Sequence, residues 1–139
     1  MIKLIVLFLL LFNSNLESKV TKVLNKEYSA DVIIVDTGRN DLRGRLYLIT
    51  GTTDKVFIGK ANSMHYTFDY MVLFNEHKEI KLVKVLVYRE NYGGEIASKR
   101  WLKQFIGLRK PKPFVDAISG ATISVHNIHQ AINKLLLEI

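Results

Sequence analysis

Cysteine is absent from the 139 residues, and with it go disulfides, thiol catalysis, cysteine-ligated zinc, iron–sulfur clusters and c-type haem attachment. Any redox role must therefore rest on an organic cofactor. Proline occurs only twice, at Pro111 and Pro113 in LRKPKPF, so the chain has one obvious joint. Repeats and low-complexity stretches are missing as well. Acidic residues are the minority, 13 Asp+Glu against 20 Lys+Arg, and the net charge of +7 favours anionic partners: phosphates, lipid headgroups or nucleic acid. The longest apolar run, Leu4 to Phe12, has nine residues. At ~1.5 Å per residue it reaches ~14 Å, about half of what a spanning helix must cover.

What is present describes a folded domain. With 48% hydrophobic and 24% charged residues the chain has the composition of a globular protein and the length of one domain. The start, MIKLIVLFLLLF followed by the polar NSNLESK, has the shape of an export signal: an early cation at Lys3, an apolar centre and a polar flank. Residues 1–18 are set apart as a signal peptide or short N-terminal membrane segment, and 19–139 as the domain. An extracytoplasmic location, periplasmic or membrane-associated after export, follows from that reading.

Hydrophobic periodicity predicts a short helix over Lys19 to Lys26 and a strand over Asp31 to Asp36, closed by a turn at Thr37-Gly38-Arg39-Asn40-Asp41. Four further strands follow: Arg45 to Thr50, Lys55 to Ala61, Thr67 to Phe74 and Ile80 to Arg89. The last two are joined by NEHKE and should pair antiparallel. Glu95 to Gly107 reads as a helix carrying Ala97, Trp101, Leu102, Phe105 and Ile106, stopped at Gly107. Thr122 to Ile139 is the most regular element, with Val125, Ile128, Ile132, Leu135 and Ile139 forming one apolar stripe. The fold class is α+β: a mostly antiparallel sheet covered on one face by helices.

The chemistry lies before the last helix. In Asp116-Ala117-Ile118-Ser119-Gly120-Ala121-Thr122, polar and small residues lead into a helix start. Unpaired backbone N–H groups and the positive end of the helix dipole would face an anion there, and Gly120 would let a bulky ligand approach. The alternative is that Asp116 and Ser119 simply cap the helix.

This segment resembles the Dxx(S/T)GAT flavinylation motif of the FMN-binding domain found in the C subunit of the sodium-translocating NADH:quinone reductase, the G subunit of the Rnf complex and small extracytoplasmic proteins. The preceding VLVYRENYGGEIASKRWLKQFIG is similar to that family's strand, Glu-containing glycine turn and aromatic helix, so the likeness spans roughly residues 68–139. It implies that Thr122 bears FMN through a phosphoester, with Asp116, Ser119, Gly120 and Ala121 as the remaining motif positions. It also implies a flavin transferase that uses FAD with Mg²⁺. The turn here, Glu90-Asn91-Tyr92-Gly93-Gly94-Glu95, departs from the ETPGLG of the respiratory subunits. Glu90, Tyr92 and Gly93 are nonetheless the expected flavin-side residues of that turn, while Tyr88, Trp101 and Phe105 are read as core. Arg89 and Glu90 are read as a surface ion pair, and Ser124 as a solvent-facing hydroxyl.

The function expected is that of an extracytoplasmic electron carrier receiving electrons from a membrane-bound redox protein. An anionic membrane surface is the second partner expected from the net positive charge. Arg109, Lys110 and Lys112 are placed near the phosphoester by their closeness in sequence. No G-x-G-x-x-G fingerprint or nucleophile–base set is present, so an autonomous enzyme is the weaker reading. RKPKP lacks the interleaved aromatics of a nucleic-acid site, and His126 with His129 lacks a third metal ligand. The alternative function is a basic module of the same fold, flavin-free or binding FMN reversibly, that docks to a membrane redox partner.

Overall fold

In the computed structural model, residues 15–139 are described. The expected signal segment falls largely on residues 1–14 and so lies outside them. Among the described residues no helix is long and apolar enough to cross a membrane. The chain divides after Ile33 into two compact units.

The first unit carries helix α1, Asn15–Tyr28, longer at both ends than the predicted Lys19 to Lys26. Its buried residues, Val20 and Leu24, are one turn apart on one face. Ser29, at φ 52°, ends the helix in the left-handed region. The Asn25 side chain then accepts from the Val32 N–H at 2.9 Å, fixing the exit of the chain.

The second unit is built on a five-stranded antiparallel sheet in the order β1-β2-β3-β4-β5: β1 Ile34–Asp41, β2 Gly44–Ile49, β3 Lys55–Asn62, β4 Thr67–Phe74 and β5 Ile80–Val87. Each strand follows the previous one through a short turn, the meander expected from the spacing of apolar runs. β1 runs through the predicted turn at 37–41 instead of stopping before it. A register shift between Asp36 and Asn40 absorbs the extra residues, and Thr37 Oγ1 donates to the Leu46 carbonyl at 2.8 Å across the strands.

β4 reads TFDYMVLF and is buried on both faces. Phe68, Tyr70, Val72 and Phe74 point into the main core with Phe57 and Val83, while Met71 and Leu73 of the opposite face are equally buried beside Val56 and Ile58. The middle of the sheet, at β4 and most of β3, is thus buried on both faces, while β1 is largely exposed. On the core side lies the C-terminal helix, Thr122–Glu138. Val125, Ile128, Ile132 and Leu135 are its buried stripe, and Ile139 packs partly buried against the same core. Full burial of each such side chain stabilises the fold by about 1.5–3 kcal/mol.

Glu95 to Gly107 is not one helix. It divides into a 3-10 turn, Gly94–Ala97, a single α-turn designated α2, Lys99–Leu102, and a second 3-10 turn, Lys103–Phe105; the C-terminal helix is therefore α3. The break is at Ser98, whose backbone is extended and whose side chain accepts from the Trp101 N–H, so it acts as an N-cap in mid-segment. Ile96, Trp101, Leu102 and Phe105 still reach the core. Beyond Gly107 the chain returns along β5: Ile80 N–H donates to the Leu108 carbonyl at 3.0 Å, and Gly107 N–H donates to the Ile80 carbonyl at 2.8 Å.

Candidate functional site

Ile118 to Ala121 forms a tight turn closed by the Ala121 N–H on the Ile118 carbonyl at 3.1 Å. Gly120 takes φ +80° in its third position, a conformation that side chains disfavour. The turn delivers Ala121 as the N-cap of α3 and Thr122 as its first residue. No side chain caps this end, so Asp116 and Ser119 are not the capping residues they could have been. The first N–H groups of α3 have no partner within the helix, and they carry the positive end of its dipole.

Asp116 is held through its backbone. Its carbonyl accepts from Trp101 Nε1 at 2.8 Å and its N–H donates to Gln104 Oε1 at 2.8 Å. The core tryptophan therefore also anchors the start of the motif. Its indole ring packs edge-on against Phe105 at 5.6 Å between centroids.

The open end of α3 faces a cleft of about 420 Å³. One wall is the helix start, Gly120 to Ser124; a second is the segment after β5, Tyr88 and Glu90 to Tyr92; the third is the β3–β4 turn, Met64, His65 and Tyr66. Of the residues expected at the site, Glu90, Tyr92, Gly120, Ala121 and Thr122 line this space together. Gly93 lies beneath the wall, against Ala121. Asp116 and Ser119 fall outside the lining.

Tyr92 is 79% exposed and Thr122 stands at the surface. Tyr88, read as core, does both jobs: its ring packs edge-on against Phe68 at 5.6 Å while another part lines the cleft. Its hydroxyl lies 2.9 Å from Ser124 Oγ. Ser124 is only 2% exposed, a correction to its reading as a solvent-facing hydroxyl.

Glu90 does not pair with Arg89. Arg89 turns away to Asp69 Oδ2 at 2.8 Å and the Thr67 carbonyl at 2.7 Å. The Glu90 carboxylate accepts instead from the His65 N–H at 2.9 Å and Ser63 Oγ at 2.7 Å, and its second oxygen lies 2.9 Å from His65 Nδ1. These contacts, the His65 backbone N–H foremost, hold its pKa down to about 2 despite the opposing cost of burial. Glu90 thus ties the β3–β4 turn to the post-β5 segment, and nothing in the local sequence of either marks the other as its partner.

Two cations of the basic run have partners of their own. Arg109 Nε pairs with Glu79 at 3.2 Å. The Lys112 N–H donates to Asn133 Oδ1 at 2.9 Å, and its carbonyl accepts from His129 Nε2 at 2.6 Å and Asn133 Nδ2 at 3.0 Å. Those partners sit ~10–16 Å along α3 from Thr122. The Lys112 ammonium reaches the Gln104 carbonyl at 3.5 Å, so the contacts of Arg109 and Lys112 are made away from the start of α3. Among the described residues no group of three His, Cys, Asp or Glu side chains is arranged for a metal, and His129 is engaged with Lys112.

A volume of about 420 Å³ lies within the ~300–1,000 Å³ of small-molecule sites. Tyrosine and methionine walls suit a flat aromatic ring, and an uncapped helix start suits a phosphate. A cleft of this size and lining, beside an uncapped helix start, has room and chemistry for a planar ring that carries a phosphate. The family model of the FMN-binding domain matches residues 64–137, more than half of the chain, and the protein belongs to that family. The match begins at Met64, in the turn that forms the third wall of the cleft. No curated protein matches the sequence.

Proposed function

We propose that this protein is an extracytoplasmic electron carrier whose FMN is joined by a phosphoester to Thr122. The observation that carries the reading is the placement of Thr122: an exposed hydroxyl on the first residue of an uncapped helix, within DAISGAT, at the wall of an aromatic cleft. A flavin transferase supplies the group from FAD with Mg²⁺. The Thr122 oxygen forms the new bond to the FMN phosphorus, the pyrophosphate bond breaks, AMP leaves and the threonine proton is lost. FMN supplies the redox chemistry when bound, and the residues around it hold the ring, satisfy its phosphate and set its exposure to water.

Tethering suits a shallow, open site. A linked ligand binds intramolecularly at high effective concentration, so weak contacts from Tyr66, Tyr92 and Met64 suffice to seat the ring. Export is supported by the Met1 to Phe12 pattern, and a membrane-bound redox protein is the electron donor this reading assigns.

Intact mass after denaturation tests the proposal, on protein exported from a host that also makes an active matched transferase. The native chain should gain one FMN less water and Thr122→Ala should not. An unmodified native mass, with a control substrate flavinylated, would overturn it.

A further inference from the structure

The cleft contains one element that the tether does not need: the His65–Glu90–Ser63 cluster. Ser63, His65 and Tyr66 belong to the β3–β4 turn, which the Ser63 N–H closes on the Tyr66 carbonyl at 2.8 Å. Glu90 reaches it from the segment after β5, the strand next to β4, and its side chain is only 10% exposed, whereas that of His65 is 66% exposed and lines the cleft. Both carboxylate oxygens are committed within the cluster, Oε2 to the His65 N–H and Ser63 Oγ, Oε1 to His65 Nδ1.

Glu90 is thereby an acceptor only, so the Nδ1 facing it must carry the hydrogen. The tautomer of His65 follows from its partner. Its remaining ring nitrogen, Nε2, is left for solvent or a ligand. It is a lone-pair acceptor when the ring is neutral and a charged donor when the ring is protonated. The other walls present little competition. From the post-β5 segment the charged group facing His65 is Glu90 itself, since Arg89 is turned to Asp69 and Thr67. From α3 come Thr122, Ile123 and Ser124, which bring no side-chain charge but the positive helix end. The remaining ionisable groups of the lining are the phenols of Tyr66, Tyr88 and Tyr92, and the tethered phosphate at Thr122 adds one negative charge.

Resting on the FMN reading above, we propose that His65 is the proton-handling residue of this site. Glu90 holds its Nδ1 and sets its orientation, and Nε2 delivers a proton to a ring nitrogen of the flavin as the ring takes up electrons. The balance is simple. A one-electron membrane carrier donates two electrons in turn, one proton passes from imidazolium Nε2 to the ring, and neutral His65 recovers a proton from water through its exposed side. An imidazole has two ring nitrogens, so His65 can keep one hydrogen on Glu90 while the exposed Nε2 gives up and regains another. His65 is then the residue that touches the cofactor, and Glu90 is a positioning residue.

The test uses the full, flavin-loaded chain, with loading verified by intact mass, and compares wild type with His65→Gln and Glu90→Gln. The flavin midpoint potential is measured across pH 5–9. In the flavin-free chain, the titration of the His65 ring is followed by NMR as a readout independent of the cofactor. The wild-type potential should change slope at the pH where NMR shows His65 titrating. That break should be lost in His65→Gln and should move together with the NMR titration in Glu90→Gln. Loaded wild type and His65→Gln with the same pH profile would overturn the role of His65 while leaving the tether intact. A wild-type chain that takes up no flavin would overturn both. His65→Gln alters an exposed side chain, and its NMR spectrum shows directly whether the fold is kept.

Discussion

Gly93 lies so close to Ala121 that a side chain on Gly93 would collide with it. A β-carbon built on Gly93 would lie 2.4 Å from the Ala121 β-carbon, and Gly93 holds φ +76°. The glycine turn after β5 is thus clamped to the N-cap of α3, and the spacing of two cleft walls depends on this contact. Gly93→Ala should destabilise the protein by roughly 2–4 kcal/mol, from overpacking and a left-handed backbone with a side chain. Adding Ala121→Gly should recover the part of the overpacking that comes from the Ala121 β-carbon and leave the backbone share. Urea titration of the single and double variants measures both, and equal stabilities for wild type and Gly93→Ala would refute the clamp.

Ser124 and Tyr88 should behave as a buried pair and not as part of the attachment chemistry. Ser124→Ala and Tyr88→Phe should each cost about 1 kcal/mol, with the double variant costing less than the two together. Ser124→Ala should still gain the mass of FMN when made with a transferase. Loss of that gain in a folded Ser124→Ala chain would move the attachment assignment away from Thr122 alone.

The Trp101 indole N–H is the fixed point of the motif's approach. Trp101→Phe keeps a ring in the core but removes the donor to the Asp116 carbonyl, at a cost of about 1–3 kcal/mol. Amide exchange over residues 112–121 should quicken more than exchange in β3 and β4. A uniform change across the chain would instead mean that the indole matters only as core volume.

Acid should weaken the fold through Glu90. Its carboxyl is held at about 2 in the folded chain against an ordinary 4.5, so the unfolded chain binds this proton first as pH falls. The stabilisation it gives is complete above pH 4.5 and is lost as pH drops toward 2. Glu90→Gln should flatten that part of the profile. Asp36→Asn is an independent comparison, since the Gly38 N–H, with Arg45, also lowers the Asp36 carboxyl. Parallel profiles for wild type and Glu90→Gln would show that the cluster does not favour the ionised carboxylate.

The sheet was legible because each strand is an apolar run with its own turn, and DAISGAT was legible because its residues are contiguous. What escaped was either local geometry masked by composition or contact across the fold. Thr37 to Asp41 has the residues of a turn, but Thr37 and Asp36 find partners on β2 that keep the strand going. Ser98 interrupts an apolar periodicity that by itself describes one helix. The Glu90 contacts join residues 25 and 27 positions apart, and the Tyr88–Ser124 contact spans 36. No spacing rule connects such positions; only the packing of β3, β4 and α3 does. The β3–β4 turn, which carries no motif of its own, is a wall of the cleft for that reason.

Both margins of the sheet carry features that blunt an open edge. At one, the offset in β1 and its Arg39–Asp41 pair interrupt the ladder; at the other, the backbone of Gly107 and Leu108 occupies the outer bonds of Ile80. Such margins resist templating by a stray strand from a neighbouring molecule. Encounters with other molecules are then left to side chains and not to open backbone edges.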